Sequence, residues 1–423
     1  AELILAFIMK GQNMRSVVGA DFAQNRCDTI LYDDVYDIAK GADYGEKEKY
    51  WAFKSGAFGQ YYLGSLIYYN LVKIESGRFY LLTKGKELAQ AVKDSVDEEI
   101  RSLMLECITE GELSEEEITR LLPLGLNAIN PNSSEWIFLN NLLTKEDSNG
   151  LTLRRETVYL MLTACESEVP ISNFVTHIFL EYKQLRRCSP AAFGWYFYYL
   201  CEALHYGIES IFCYVLDCID KFQNPPVSVL LDNAVDDLVM LLNDEQQYKS
   251  IDEWIKDYHA EIEWQLSEVK RLVKGQDYAK SVIESLKLFW LLYQEFQQNK
   301  TATMDFEQKY DLVRQRGILS EGLKDYVERY VSLPIRTYLE KVLRQVMNEH
   351  TFVAIKKMGN SDLDLRKFIL ENGCAILVEM RYPNETNPRI ESLHNFLVDL
   401  GYLKIDNTTT PIAKKFLSEY GKE

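Results

Sequence analysis

The sequence contains none of the short motifs that mark the common catalytic sites. It has no Walker A phosphate loop, no dinucleotide-binding glycine fingerprint, no Gly-x-Ser-x-Gly and no cysteine and histidine cluster at zinc spacing. Nucleotide hydrolysis, hydride transfer and serine hydrolysis are therefore not expected. We predict no catalytic residues, no cofactor and no metal, and we favour a protein that is not an enzyme.

Cysteine pairs, proline and glycine are also scarce. The eight cysteines include no Cys-x-x-Cys pair, and 10 prolines and 21 glycines in 423 residues exclude collagen-like or low-complexity character. Reduced, buried thiols and the absence of a secretory signal pattern predict a cytoplasmic protein. The apolar residues 1–10 are too short to cross a membrane, and an opening Ala fits either a processed terminus or a piece of a longer chain.

Basic residues are fewer than acidic residues. Against 64 acidic residues there are 47 Lys and Arg, so the net charge is −17, which opposes approach to a phosphate backbone unless a local basic face exists. Hydrophobic residues make up 47% of the chain, which is enough for a sizeable core. The most apolar stretch, 191–219, is interrupted by acidic residues and by Gly207, which predicts two buried helices rather than a membrane span.

Apolar spacing divides the chain into three predicted segments. In residues 1–100 it predicts helices at about 46–54 and 58–70, a β-hairpin over 71–75 and 78–82, and a further helix from Thr83, because the pair Ser76-Gly77 is a turn signal. Helical spacing then fills residues 101–333 and includes a helical hairpin on either side of Gly275.

The third segment, residues 334–423, mixes helix and strand signals. It predicts helices at about 336–350, 362–372 and 388–400, a β-prone run at 374–381, and a closing hairpin and helix.

Both chain ends carry a repeated pattern. Residues 400–403 (Leu-Gly-Tyr-Leu) follow a predicted helix and precede a helix introduced by Thr410, and residues 70–73 (Asn-Leu-Val-Lys) and Thr83 repeat this order. The pattern resembles the winged-helix family. The resemblance implies a mainly α fold in which a helical core is flanked by two winged-helix-like modules with short β-hairpin wings. Winged helices serve both as DNA readers and as protein-interaction modules.

Candidate contact residues follow from this resemblance and from local composition. The aromatic helix at 58–70 carries no cation for a DNA phosphate, and consecutive tyrosines cannot both face inward on one helix. We therefore predict partner contact through four tyrosines: Tyr61, Tyr62, Tyr68 and Tyr69. A basic cluster near the start of the third segment could contact phosphates instead. Its members are Lys356, Lys357, Arg366 and Lys367.

Two further patterns suggest chemistry. Arg344 and His350 have a spacing that resembles the HEPN ribonuclease motif, in which Arg and His act on the RNA 2′-OH and phosphate. Glu202, His205 and Glu209 share a helical face at spacings found in metal-binding bundles, but a bundle site needs a second such contribution. A hydrogen-bonded surface histidine is the preferred interpretation of each pattern.

The expected function is a scaffold or adaptor subunit that binds other proteins through its terminal modules. The layout is similar to accessory subunits of prokaryotic multi-protein machines, including DNA-processing and anti-phage defence systems. Nucleic-acid binding through one winged helix and the basic cluster is the alternative, and a HEPN-like ribonuclease is the third.

Overall fold

The fold was analysed on a computed structural model, which describes residues 1–10, 22–23, 31–32, 35–43, 50, 56, 58–125, 128–145, 153–185, 189–243, 246–310, 312, 319–358 and 364–420. Helices dominate this part of the chain, and the strands are few, short and antiparallel, so the mainly α prediction is confirmed. The predicted helix at 46–54 lies outside the described residues. Every helix that is described is too short or too polar to traverse a lipid bilayer.

The chain divides into two compact units. The first comprises residues 1–174 and 389–423, and the second comprises residues 175–388. These limits differ from the predicted boundaries near residues 100 and 333, so the three-segment division stays a prediction.

The first unit is made of short helices and strands. Its helices are α1 (Glu2–Lys10), α2 (Ile38–Ala42), α3 (Leu63–Tyr68), α4 (Thr83–Ser95), α5 (Glu98–Glu110), α6 (Glu115–Leu121), α7 (Ser134–Thr144), α8 (Leu153–Glu166), α18 (Ile390–Asp399) and α19 (Pro411–Tyr420). Its strands are β1 (Leu31–Tyr32), β2 (Val35–Asp37), β3 (Val72–Glu75), β4 (Arg78–Leu81) and β5 (Glu112–Ser114). A π-helical turn, Phe58–Tyr62, precedes α3.

A small sheet in the order β1-β2-β5 organises the first core of this unit. Tyr36 of β2 pairs with Leu113 of β5, and both side chains are buried against Phe7 of α1. Helix α6 begins with a capping box, in which Ser114 accepts the backbone N–H of Glu117 and the Glu117 carboxylate accepts the Ser114 N–H. These reciprocal bonds fix the start of α6 directly after β5.

The C-terminal helices pack on α7 and α8 in the same unit. The Trp136 indole N–H donates to the carbonyl of Leu400 at 2.9 Å, and the Tyr402 hydroxyl donates to the Asn140 amide oxygen at 2.6 Å. The predicted second wing is reduced to a single antiparallel bridge between Leu403 and Thr409.

The second unit is a helical bundle with one hairpin. Its helices are α9 (Phe174–Leu185, which starts at the unit boundary), α10 (Pro190–Lys221), α11 (Val227–Val239), α12 (Ile251–Ile255), α13 (Ile262–Lys274), α14 (Tyr278–Gln298), α15 (Lys300–Lys309), α16 (Leu319–Leu323) and α17 (Ile335–Met358). The hairpin consists of β6 (Phe368–Glu371) and β7 (Cys374–Leu377). The predicted helical hairpin around Gly275 is confirmed as α13 and α14.

Helix α10 is the centre of this bundle, and one prediction about it is wrong. Gly207 does not divide two helices, because α10 runs unbroken for 32 residues. A Cβ at Gly207 would lie 2.5 Å from Cε1 of Phe289 in α14, so the glycine allows the two helices to approach closely. Buried Ser210 and Ser281 also join these helices through a 2.8 Å hydrogen bond.

The β6–β7 hairpin replaces part of the helix predicted at 362–372, which is a second error. Asn372 and Gly373 both have positive φ, the conformation of a two-residue hairpin turn. The turn lies against the segment that begins α11, where the Val227 N–H donates to the Gly373 carbonyl at 3.0 Å. The preference of the Asn-Gly pair for this turn therefore outweighs the helical periodicity.

Candidate functional site

The β3–β4 hairpin of the first unit exposes several large apolar side chains, and its turn explains its shape. Ser76 and Gly77 have φ of 49° and 72°, which two-residue hairpin turns require at both central positions. The register places Glu75 opposite Arg78 and Ile74 opposite Phe79. The predicted hairpin is thus present at residues 72–81.

Side chains on both faces of β4 are exposed. Phe79, Tyr80 and Leu81 are 52%, 42% and 51% exposed, and Ile74 on β3 is exposed as well. A strand that packs on a core normally buries every second side chain. We call Ile74, Phe79, Tyr80 and Leu81 the hairpin surface. Large exposed apolar groups on neighbouring strands are typical of interaction sites.

A pocket of about 210 Å³ lies beside the hairpin surface. Its wall is apolar and includes Phe58, Leu66, Val72, Phe79, Leu81 and Leu88. Gly85 in the first turn of α4 also lines the pocket, and it allows α4 to lie close to the backbone of Leu71, because a Cβ there would lie 2.1 Å from the Leu71 carbonyl oxygen. The Phe58 and Phe79 rings meet edge to face at 5.3 Å and fix one wall.

The segment that forms the pocket is cationic in a strongly acidic chain. Residues 58–93 hold five Lys or Arg and only two Glu, whereas the whole chain has a net charge of −17. Lys73 is paired with Glu75 at 2.6 Å. Within the described part of the chain, Arg78, Lys84 and Lys86 form no ion pair. We call these three residues the cationic rim, because each is next in sequence to a residue that lines the pocket, Phe79 or Gly85. The rim therefore offers positive charge to a ligand.

Three of the four predicted contact tyrosines are exposed. Tyr61 and Tyr62 lie in the π-helical turn, and Tyr68, at the end of α3, is 69% exposed. Tyr69 is half-buried beside the Arg154 guanidinium, which lies 4.9 Å from the ring centroid. Burial raises the pKa of Tyr69. The role of all four in partner binding stays a prediction, but three of the side chains are placed where a partner could reach them.

The predicted basic cluster is partly neutralised. Lys356 and Lys357 are exposed in the last turn of α17, and no acidic group among the described residues pairs with them. Arg366 bonds to both oxygens of Asp364 and holds the pKa of that carboxyl at about 2. Lys367 is ion-paired with Glu379. Two of the four cations therefore already have carboxylate partners, which weakens the case for a phosphate site.

The residues that resemble the HEPN motif have other partners. The Arg344 guanidinium bonds to Glu340 at 3.0 Å. His350 accepts the backbone N–H of Lys367 at Nε2, 3.0 Å away, and its ring stacks on Phe212 at 4.4 Å. Desolvation lowers the pKa of His350 to about 4. A neutral imidazole whose Nε2 lone pair is occupied gives no geometric support to an acid-base role.

Glu202 and Glu209, considered above as metal ligands, accept hydrogen bonds from main-chain amides instead. Glu209 accepts the N–H of Asn384 and Glu202 accepts the N–H of Thr386, each at 2.9 Å. His205 lies 3.7 Å from Glu209. No group of three or more metal-ligating side chains occurs among the described residues. These two glutamates therefore fasten an extended segment of the second unit to α10, a role for which the sequence carries no signal.

Comparisons of the chain with protein-family models, curated proteins and solved structures found no match. The winged-helix and HEPN resemblances therefore stay predictions that rest on the residues quoted for them.

Proposed function

We propose that the protein is a non-enzymatic adaptor that binds another protein through residues 58–88. The observation that carries this proposal is the hairpin surface, where three successive apolar side chains of β4 are exposed beside an apolar pocket. Exposed aromatic anchors next to a pocket are the usual centre of a protein interface. The order of α3, β3, β4 and α4 is compatible with the winged-helix resemblance, whose members include protein-interaction modules.

The proposed setting is a multi-protein machine of the DNA-processing or anti-phage type that the layout resembles. In such a setting the exposed tyrosines Tyr61, Tyr62 and Tyr68 would add contact area at low entropic cost, because each has only two side-chain torsions to fix.

Affinity purification of the tagged chain from its native cells, with quantitative mass spectrometry, tests the proposal. We expect a stoichiometric partner with the wild-type chain and its loss in the triple variant Tyr61→Ser, Tyr62→Ser, Tyr68→Ser. Tyr248→Ser is the matched control, because Tyr248 is 86% exposed in the second unit. Recovery of no partner, or equal recovery with the triple variant, would contradict the proposal.

Nucleic-acid binding through the basic cluster is a weaker candidate. Among the residues that the structure describes, Lys356 and Lys357 have no carboxylate partner, whereas Arg366 and Lys367 do. An acidic chain also repels phosphate at long range. Retention on duplex DNA that falls steeply with salt, and that Lys356→Glu with Lys357→Glu abolishes, would favour it over the adaptor proposal.

A further inference from the structure

We infer that the outer edge of β4 binds an extended segment of a partner protein, with alternating apolar side chains and flanking Asp or Glu residues. This inference rests on the proposed adaptor function and specifies the chemistry of its ligand. Three observations carry it: the direction of the main-chain groups of β4, the adjoining pocket, and the cationic rim.

The register defines which main-chain groups are free. In a hairpin with a two-residue turn, the residues that flank the turn form a hydrogen-bonded pair, and the bonded pairs then alternate along the strands. Glu75 and Arg78 are the flanking pair, so Phe79 and Leu81 direct their N–H and C=O groups away from β3. The bond from the Leu82 N–H to the Leu71 carbonyl continues this alternation.

The outer edge of β4 is open in the described part of the structure. No strand there pairs with β4 other than β3, and all four residues of β4 are exposed. An open edge with exposed apolar side chains is a template for strand addition. Because a helix has no free main-chain groups to offer an edge, the free N–H and C=O groups favour an extended ligand.

The pocket and its rim specify the side chains of that ligand. In strand addition, main-chain bonds supply affinity and pockets select alternate side chains. The 210 Å³ apolar pocket next to Phe79 and Leu81 suits one large apolar side chain. Arg78 lies at the turn end of β4, and Lys84 and Lys86 lie in the first turn of α4, which follows the other end of the strand. These cations would meet acidic residues on either side of the apolar run.

Binding of synthetic peptides to the full chain tests the inference. The probe is a fluorescent ten-residue peptide of alternating Val and Thr with one central Phe and two Glu at each end. Two control peptides accompany it. One has the same residues in scrambled order, and the other has the same core with Lys in place of Glu at both ends. We expect saturable binding of the probe and no binding of the scrambled peptide. Binding of the Lys peptide should be roughly tenfold weaker, because its terminal charges repel Arg78, Lys84 and Lys86 instead of attracting them.

Two proline variants locate the edge. Phe79→Pro removes an N–H that points away from β3, and Ile74→Pro does the same on the opposite edge of the hairpin, because these two residues face each other in the register. We expect Phe79→Pro to abolish probe binding and Ile74→Pro to preserve it. Phe79→Ala separates loss of the ring from loss of the N–H, and it should weaken binding less than Phe79→Pro. Circular dichroism verifies that each variant is folded.

Three results would overturn the inference. They are equal binding of probe and scrambled peptide, equal effects of the two proline variants, and self-association of the chain that Phe79→Pro abolishes, which would identify a second copy as the occupant. The partner recovered from cells separates this inference from the adaptor proposal. A partner that the tyrosine variant loses and Phe79→Pro retains would leave the adaptor proposal intact and refute strand addition.

Discussion

Replacing Gly207 with Ala should destabilise the second unit, although alanine is the better helix former. The new Cβ would lie 2.5 Å from Cε1 and 3.1 Å from Cζ of Phe289. The Phe289 ring cannot move away freely, because it is fully buried and lies 5.8 Å from the Tyr326 ring. Overpacking of this kind costs about 1–3 kcal/mol, and the helix propensity of Ala returns up to about 1 kcal/mol. An approach of 2.5 Å to a fully buried ring places the cost in the upper half of that range, so we expect a net loss of about 1–2 kcal/mol.

Gly194→Ala is the matched control in the same helix. Its Cβ would lie 3.4 Å from Cζ of Phe306, an ordinary contact, so we expect a gain of up to about 1 kcal/mol from propensity alone. Urea unfolding measures both effects, and hydrogen exchange of α10 and α14 assigns them to the second unit. Phe289→Leu in the Gly207→Ala background should recover part of the loss. A Gly207→Ala chain as stable as wild type would refute the close-approach explanation.

Two further predictions concern buried polar groups. The pKa of His350 is lowered from 6.5 to about 4, so the folded state favours the neutral imidazole. The stability that this group contributes is complete above pH 6.5 and is lost as the pH falls to 4. Partial solvent access limits this contribution to about 1–2 kcal/mol. In His350→Gln, the midpoint of urea unfolding should vary less with pH than in the wild type. An equal pH dependence of the two midpoints would contradict the prediction. Glu307 is 2% exposed and accepts the Ser320 N–H at 3.1 Å, so Glu307→Ala should cost about 2–3 kcal/mol in urea unfolding and Glu307→Gln less. Equal stability of the two Glu307 variants would indicate that the hydrogen bond contributes nothing.

Sequence patterns predicted those elements that a few adjacent residues determine. The hairpin turn at 76–77 depends on two adjacent residues, and it is present as predicted. Gly207 was misinterpreted because its role depends on Phe289, more than 80 residues away, and helix propensity alone cannot reveal such a contact. The β6–β7 hairpin had a usable signal in Asn372-Gly373, which was outweighed by an apparent helical periodicity.

The candidate site was predicted in part. Sequence reasoning identified the aromatic segment 58–70, because paired tyrosines such as Tyr61 and Tyr62 cannot all be buried on one helix. It did not identify β4 as the exposed strand. An apolar run such as residues 79–82 gives no indication of whether another element covers it, since that depends on tertiary packing. The absence of charge at Phe79, Tyr80 and Leu81 favours a buried strand, and the structure exposes it.

Hydrogen–deuterium exchange on the chain, alone and with the protein that co-purifies with it, tests the central proposal most directly. Binding at the hairpin surface predicts slower amide exchange within residues 58–88, with the largest protection at Phe79 and Leu81, whose amides point away from β3. The region around Tyr248, exposed in the other unit, serves as the reference and should not change. Protection elsewhere in the chain with none in residues 58–88 would contradict the proposed docking site.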